Sequence, residues 1–201
     1  MPNANPIAAN FFGVGRILAI SLVLIATLTG CAQIISVTTS EPIQISTNKR
    51  TLGTKINDQQ LETVARVNLN NTSEQLETAH INIDSFNGLV LLTGQVPNEK
   101  LRSMAGDTIG KINSVRQVHN ELTTASPSDF QTRSADSWVT TKIKTQLVAS
   151  SIQSRRIVII TEAKTVFLMG LVSRYEAERI TDVAKNTHGV KQVVKVFEYV
   201  D

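Results

Sequence analysis

The sequence has a single cysteine, Cys31, in 201 residues. A structural disulfide is excluded, because no partner thiol exists. Histidine is almost as scarce: His80, His119 and His188 stand far apart, and no pair has the spacing of an H-x-x-x-H metal site. There is no G-x-S-x-G, no P-loop and no G-x-G-x-x-G. The carboxylates fall mostly on polar helix faces, as Glu176 and Glu178 do, so no catalytic residue, metal or cofactor is expected. A dense run of one charge is also missing. Lys and Arg number 20 against 17 Asp and Glu, a formal +3, and the basic residues are scattered. A nucleic-acid binder usually concentrates its positive charge on one face, so no nucleic-acid partner is expected. No apolar run approaches the roughly 20 residues needed to span a bilayer. Tryptophan occurs once, at Trp138.

The residues present at the N-terminus have a clear order. Arg16 is followed by the apolar stretch "ILAISLVLIATLTG", closing in small residues. A positive charge, a short apolar run and small residues make a secretory signal. It ends in Leu28-Thr29-Gly30-Cys31, which resembles a bacterial lipobox. In that pattern the cysteine becomes the first mature residue and carries acyl chains, so Cys31 is the expected lipidation site. Several chains anchor stably, since each buried CH2 contributes about 0.8 kcal/mol. Ala32 rather than Asp follows, which by the bacterial sorting rule implies the outer membrane, with the protein on its periplasmic face. Residues 1–30 are thus the signal and 31–50 a Ser/Thr-rich lipidated tether.

The rest is a duplication. "VLLTGQV" (90–96) lies over "VFLMGLV" (166–172), with Val, Leu, Gly and Val repeated 76 residues apart. Asp58, Thr63 and Leu69 match Asp136, Thr141 and Leu147 at an offset of 78. "SVRQV" at 114–118 matches "GVKQV" at 189–193. So long a period means duplicated domains rather than a solenoid. The domains are placed at 51–123 and 135–201, with a polar linker at 124–134.

Each copy reads helix, strand, strand, helix, strand. In the second, the first helix is expected over 135–149 and strands over 157–161, 166–172 and 192–200. Ser173-Arg-Tyr-Glu176 has the S-x-x-E form of a capping box. Ala177, Ile180 and Ala184 then recur at helical spacing, and Gly189 is expected to close the helix at C′. Gly94 and Gly170 lie inside strands, where glycine permits a close approach or a bulge. Three strands cannot close into a barrel, so each copy is a two-layer α+β domain, a three-stranded mixed sheet with two helices on one face. The second copy is apolar on its other sheet face too, at Phe167, Met169 and Leu171, with Phe197 and Tyr199 assigned to that face of the last strand. Either the first domain or a protein partner is expected to cover it.

This repeat, centred on "VFLMGLVSRYEAERITDVAKNTHGVKQVV", resembles the BON domain. Two such domains behind a lipobox resemble the dual-BON outer-membrane lipoproteins of Gram-negative bacteria. The resemblance implies binding of anionic phospholipid by the second domain. It also implies a part in outer-membrane integrity, with enrichment at the division site. A monomer is expected. An adaptor for an outer-membrane protein complex, docking by a sheet face or strand edge, is the other function class.

The tryptophan sits in "SADSWVTTKIKTQLVAS". At about 100° per residue, Val139, Ile143 and Leu147 form a core stripe, and Trp138 lies about 140° from its centre. Trp138, Thr141, Lys142, Thr145 and Val148 form a second face, expected to contact phospholipid. Lys144, Arg155 and Arg156 are further candidates for headgroup contact. Trp suits the headgroup level of a bilayer, with an apolar ring and an N–H that stays wet. A lysine near an anionic surface contributes roughly 1 kcal/mol. The first copy has Gln60 and Val64 in place of Trp138 and Lys142, so the fold itself does not require the tryptophan.

Overall fold

The computed structural model describes residues 52–152 and 156–200, with side chains from residue 57 onward. The signal, the tether with Cys31, and Arg155 lie outside the described residues. The first domain comprises α1 (Leu52–Thr72), the short α2 (Glu74–Thr78), β1 (His80–Phe86), β2 (Leu89–Val96), α3 (Glu99–Gly110) and β3 (Gln117–Thr124). The second comprises α4 (Phe130–Ala149), β4 (Ile157–Glu162), β5 (Thr165–Val172), α5 (Arg174–Lys185) and β6 (Gln192–Tyr199). In each sheet the middle strand, β2 or β5, pairs antiparallel with the strand before it and parallel with the strand after. A hairpin needs two linking residues and a parallel neighbour needs a crossover, which α3 and α5 supply. The mixed three-stranded sheets expected from the sequence are therefore present in both domains.

Local chemistry sets the helices. Ser173 caps α5 in a complete capping box with Glu176. The backbone N–H of Ser173, helped by Arg156, holds the Glu176 carboxyl below its ordinary range. Ala177, Ile180, Thr181 and Ala184 face the core. The helix ends at Lys185 with Asn186 as its cap, so Gly189 is not the C′ residue. Gly189 instead takes φ 104° in the following turn, where a Cβ would stand 2.8 Å from Val139 Cγ2. Its lack of a side chain lets this turn close over α4.

One correction concerns where a helix begins: α4 starts at Phe130 rather than near residue 135. In the first domain the "LGTKIN" segment, residues 52–57, is likewise helical ahead of Asp58. Asp129 caps α4 by accepting the Thr132 N–H at 2.7 Å. The second half of the expected linker is thus helix.

The matching aspartates of the two copies share one task. Asp58 accepts the N–H groups of Asn87 at 2.9 Å and Gly88 at 3.0 Å. Asp136 accepts those of Ala163 at 2.8 Å and Lys164 at 3.0 Å. Each buried carboxylate ties its helix to a two-residue hairpin turn. The turn residues have positive φ in both copies, as a type I′ turn requires. Asn-Gly meets that demand easily. Ala163 (φ 49°) and Lys164 (φ 67°) do not, and the Asp136 bonds offset their strain.

The helix-free sheet faces are buried against each other. Phe86, Leu89 and Leu91 of the first domain form one cluster with Phe167, Met169 and Val196 of the second. Phe167 and Met169 are therefore covered from within the chain, and a protein partner is not needed to cover them. One assignment on β6 reverses. Val194 and Val196 face the first domain, whereas Phe197 packs on the helix side with Ile180 and Ala184, and Tyr199 turns the same way, its ring 4.8 Å from the Arg174 guanidinium of α5. Phe197 pairs with Gly170, a position without a side chain on that face.

Polar groups complete the interface. Glu162, 8% exposed, accepts from Gln95 Nε2 at 2.8 Å and Asn82 Nδ2 at 3.0 Å, with His80 Nε2 at 3.3 Å. At the other end of the interface, Glu198 accepts from Arg116 at 2.6 Å and Asn87 at 3.1 Å. The two domains thus sit in one compact unit with both apolar and ionic contacts between them.

Candidate functional site

Helix α4 has a buried and an open side. Val139, Ile143 and Leu147 point into the core, as the wheel predicts, together with Asp136. The opposite side bears Trp138, 63% exposed, and Val148, 65% exposed, with Thr141 and Thr145 exposed between them. The two threonines turn their hydroxyls inward, donating to the carbonyls of Ser137 at 2.9 Å and Thr141 at 3.0 Å. Their methyl groups and the indole are left on the surface. This back-bonding makes the face less polar than its composition implies.

The cations proposed from the sequence divide. Lys142 is half-buried beside this face and donates from Nζ to the His188 carbonyl at 3.0 Å, in the turn after α5. That contact holds its charge at the rim. Lys144 is exposed on the other flank, where its charge acts on Asp84 of the first domain. Arg156 is committed elsewhere: its guanidinium pairs with Glu176 at 3.0 Å and is largely buried. Trp138, Thr141, Thr145 and Val148 are thus brought together with Lys142 at their edge, and Arg156 is not part of the group.

The structure adds residues the sequence did not single out. Tyr175 on α5 is 72% exposed, with the Arg179 guanidinium 5.8 Å from its ring centroid. Arg179 also donates to the Ser150 carbonyl just past α4, at 3.2 Å, which ties the C-terminal end of α4 to α5. Only tertiary structure reveals this pairing, because the partners are 29 residues apart. In the first domain the positions equivalent to Trp138, Lys142 and Thr145 are Gln60, Val64 and Val67, all exposed and none aromatic.

A polar cleft of about 490 Å³ lies where the domains meet, lined by Arg66, His80, Asp84, Arg133, Thr140 and Glu162 among others. Burial and the nearby Glu62 charge raise the Asp84 carboxyl to about 6, against the lowering pull of Lys144 and Arg66. Among the described residues, no cluster of three or more His, Cys, Asp or Glu side chains is placed to hold a metal ion. No described helix is long and apolar enough to cross a membrane.

The BON domain family pattern matches residues 57–126 and again 135–201. The chain belongs to the BON-domain family. It is 34% identical over 185 residues to the outer membrane lipoprotein DolP of Haemophilus influenzae, covering 92% of this chain and 96% of that one. It is 36% identical over 152 residues to a 21 kDa hemolysin of Actinobacillus pleuropneumoniae, covering 75% and 78% of the two chains. Neither relative is named as an enzyme. Among solved structures, the C-terminal domain of CdsD, a type III secretion structural protein of Chlamydia trachomatis, overlaps with a TM-score of 0.30 at 12% identity, covering 67% of this chain and 96% of that one. Likeness over nearly the whole of the Haemophilus protein makes this chain a dual-BON outer-membrane lipoprotein of the DolP type.

Proposed function

We propose that this lipoprotein, anchored by acyl chains on Cys31 at the periplasmic face of the outer membrane, docks its second domain on anionic phospholipid through α4. The observation that carries the reading is Trp138: a solvent-exposed indole on an uncharged face with a lysine at its rim, in the one copy of the repeat that has it. Exposing so large an apolar side chain to water is unfavourable unless another phase receives it. A bilayer interface receives tryptophan well, and phosphatidylglycerol supplies the negative charge for Lys142. The tether keeps that surface within reach. From Cys31 to Leu52 the chain spans at most about 75 Å at full extension.

The family resemblance extends the proposal to a part in outer-membrane integrity, at the division site among other places. An adaptor role through the Phe167 and Met169 face is not favoured, since the first domain already occupies that face.

The reading is tested by titrating the non-acylated 32–201 chain with phosphatidylglycerol micelles while following backbone amide NMR shifts. Changes should concentrate on α4 and the turn around His188. Uniform changes, or none near Trp138, would contradict it.

A further inference from the structure

We infer that the lipid-contact seam runs the whole length of α4, with Phe130 as a second aromatic anchor two turns before Trp138, so that the helix lies along the bilayer plane. The inference rests on the phospholipid reading above and concerns how the same site is oriented.

Its first support is the early start of the helix. Because Asp129 caps α4, Phe130 occupies the first helical turn rather than a linker. The Thr132 N–H holds the Asp129 carboxyl below its ordinary range, so the cap is ionised at neutral pH. Phe130 is 79% exposed, the most exposed of the large apolar side chains among the described residues. Phe130 and Val148 are 18 residues apart, five full turns, so they share one azimuth about 27 Å apart along the axis. Ser134, Trp138, Thr141 and Thr145 fall between them on the same side, and all are exposed.

Charge supplies the second support and identifies the occupant. The seam itself carries no charged residue. Arg133 and Lys144 border one flank and Lys142 the other. The sole carboxylate within α4 is Asp136, which is buried and bound to the Ala163 and Lys164 N–H groups. Apart from the exposed amides of Gln131 and Gln146 and the Asp129 cap at its N-terminal end, the helix shows the outside apolar groups, hydroxyls and positive charge. That combination suits an anionic bilayer surface, which demands burial of apolar groups at one depth and cations at its edge. Of the neighbouring acids on α5, Glu176 and Glu178 are paired with Arg156 and Lys195. A single indole would act as a pivot. Two rings about 12 Å apart on one helix fix its direction in the plane.

The test uses the chain's lone tryptophan in the full-length lipidated protein. Vesicles of phosphatidylcholine, with or without phosphatidylglycerol, carry brominated acyl chains that quench an inserted indole. Wild-type protein reports on position 138. The Phe130→Trp, Trp138→Phe variant reports on position 130 and keeps an apolar ring at 138. Both sites are exposed, so the core is untouched, and circular dichroism checks that each variant folds. Quenching at both positions, stronger with phosphatidylglycerol, is expected. Phe130→Ala in the non-acylated chain should weaken vesicle binding about tenfold, as loss of one buried ring implies. Quenching at 138 but not at 130 would overturn the inference and leave the phospholipid reading standing. Absence of quenching at both would overturn the phospholipid reading itself. A blue shift at position 130 in outer-membrane vesicles but not in protein-free ones would assign that end of the seam to a protein and also overturn the inference.

Discussion

Replacing Glu162 by alanine should loosen the two domains from each other without touching either helix-side core. Glu162 anchors one end of the interface, with Gln95 and Asn82 donating to it, His80 beside it, and Ser128 Oγ at 3.4 Å. Gln95 is only 4% exposed, so its amide would lose its acceptor where water cannot easily replace it. An unsatisfied buried donor costs about 1–3 kcal/mol. Asn82 and His80 are half-buried and recover part of their loss from water. Removing the carboxylate also removes the cost of burying it. With the smaller losses at Asn82 and His80 set against that gain, the balance is a destabilisation of about 1–3 kcal/mol, readable in urea unfolding. Pairing Glu162→Ala with Gln95→Leu should cost about 1–3 kcal/mol less than the sum of the two single changes, because the second substitution removes the stranded donor. A single-variant loss below about 0.5 kcal/mol, or full additivity, would refute the argument that this carboxylate locks the domains.

The interface cleft and the second hairpin give further expectations. Asp84 has a folded pKa of about 6, above its ordinary value, so the folded state binds the proton more tightly than the unfolded chain. Stability should therefore fall as pH rises from about 4 to about 6 and level off above that. Asp84→Asn should flatten this slope and stabilise the protein at pH 7 by on the order of 1–2 kcal/mol, allowing for the exposed part of the side chain; an unchanged melting profile across that range would contradict it. Replacing Ala163-Lys164 by Asn-Gly transplants the first domain's turn into the second. It should raise stability by about 1 kcal/mol, measured by thermal unfolding, since both new residues tolerate positive φ. A drop in melting temperature would show that the native turn is not strained.

Much of this architecture was legible because local and long-range signals agreed. In α5 the capping box and the Ala177, Ile180, Ala184 spacing point to the same helix, and the structure has it. The core stripe and open face of α4 also follow from angle alone, since a helix surrounded on one side keeps its wheel. The start of α4 was not legible: residues 130–134 place no apolar side chain in the core, so periodicity is silent there, and the Asp129 cap is the only signal. The face of β6 was misread because "QVVKVFEYV" is apolar at both parities. Alternation cannot then choose a face, and the pairing of Phe197 with Gly170 does. The fates of Lys142, Lys144 and Arg156 depend on His188, Asp84 and Glu176, partners that sequence distance conceals.

In the proposed docking, Trp138 meets lipid rather than protein. The most direct measurement is co-sedimentation of the non-acylated chain with phosphatidylglycerol vesicles, comparing wild type with Trp138→Glu. Since the side chain is 63% exposed, the variant should keep its circular dichroism spectrum and melting temperature while vesicle binding is lost. A variant that binds vesicles as well as wild type, or one that fails to fold, would contradict the account.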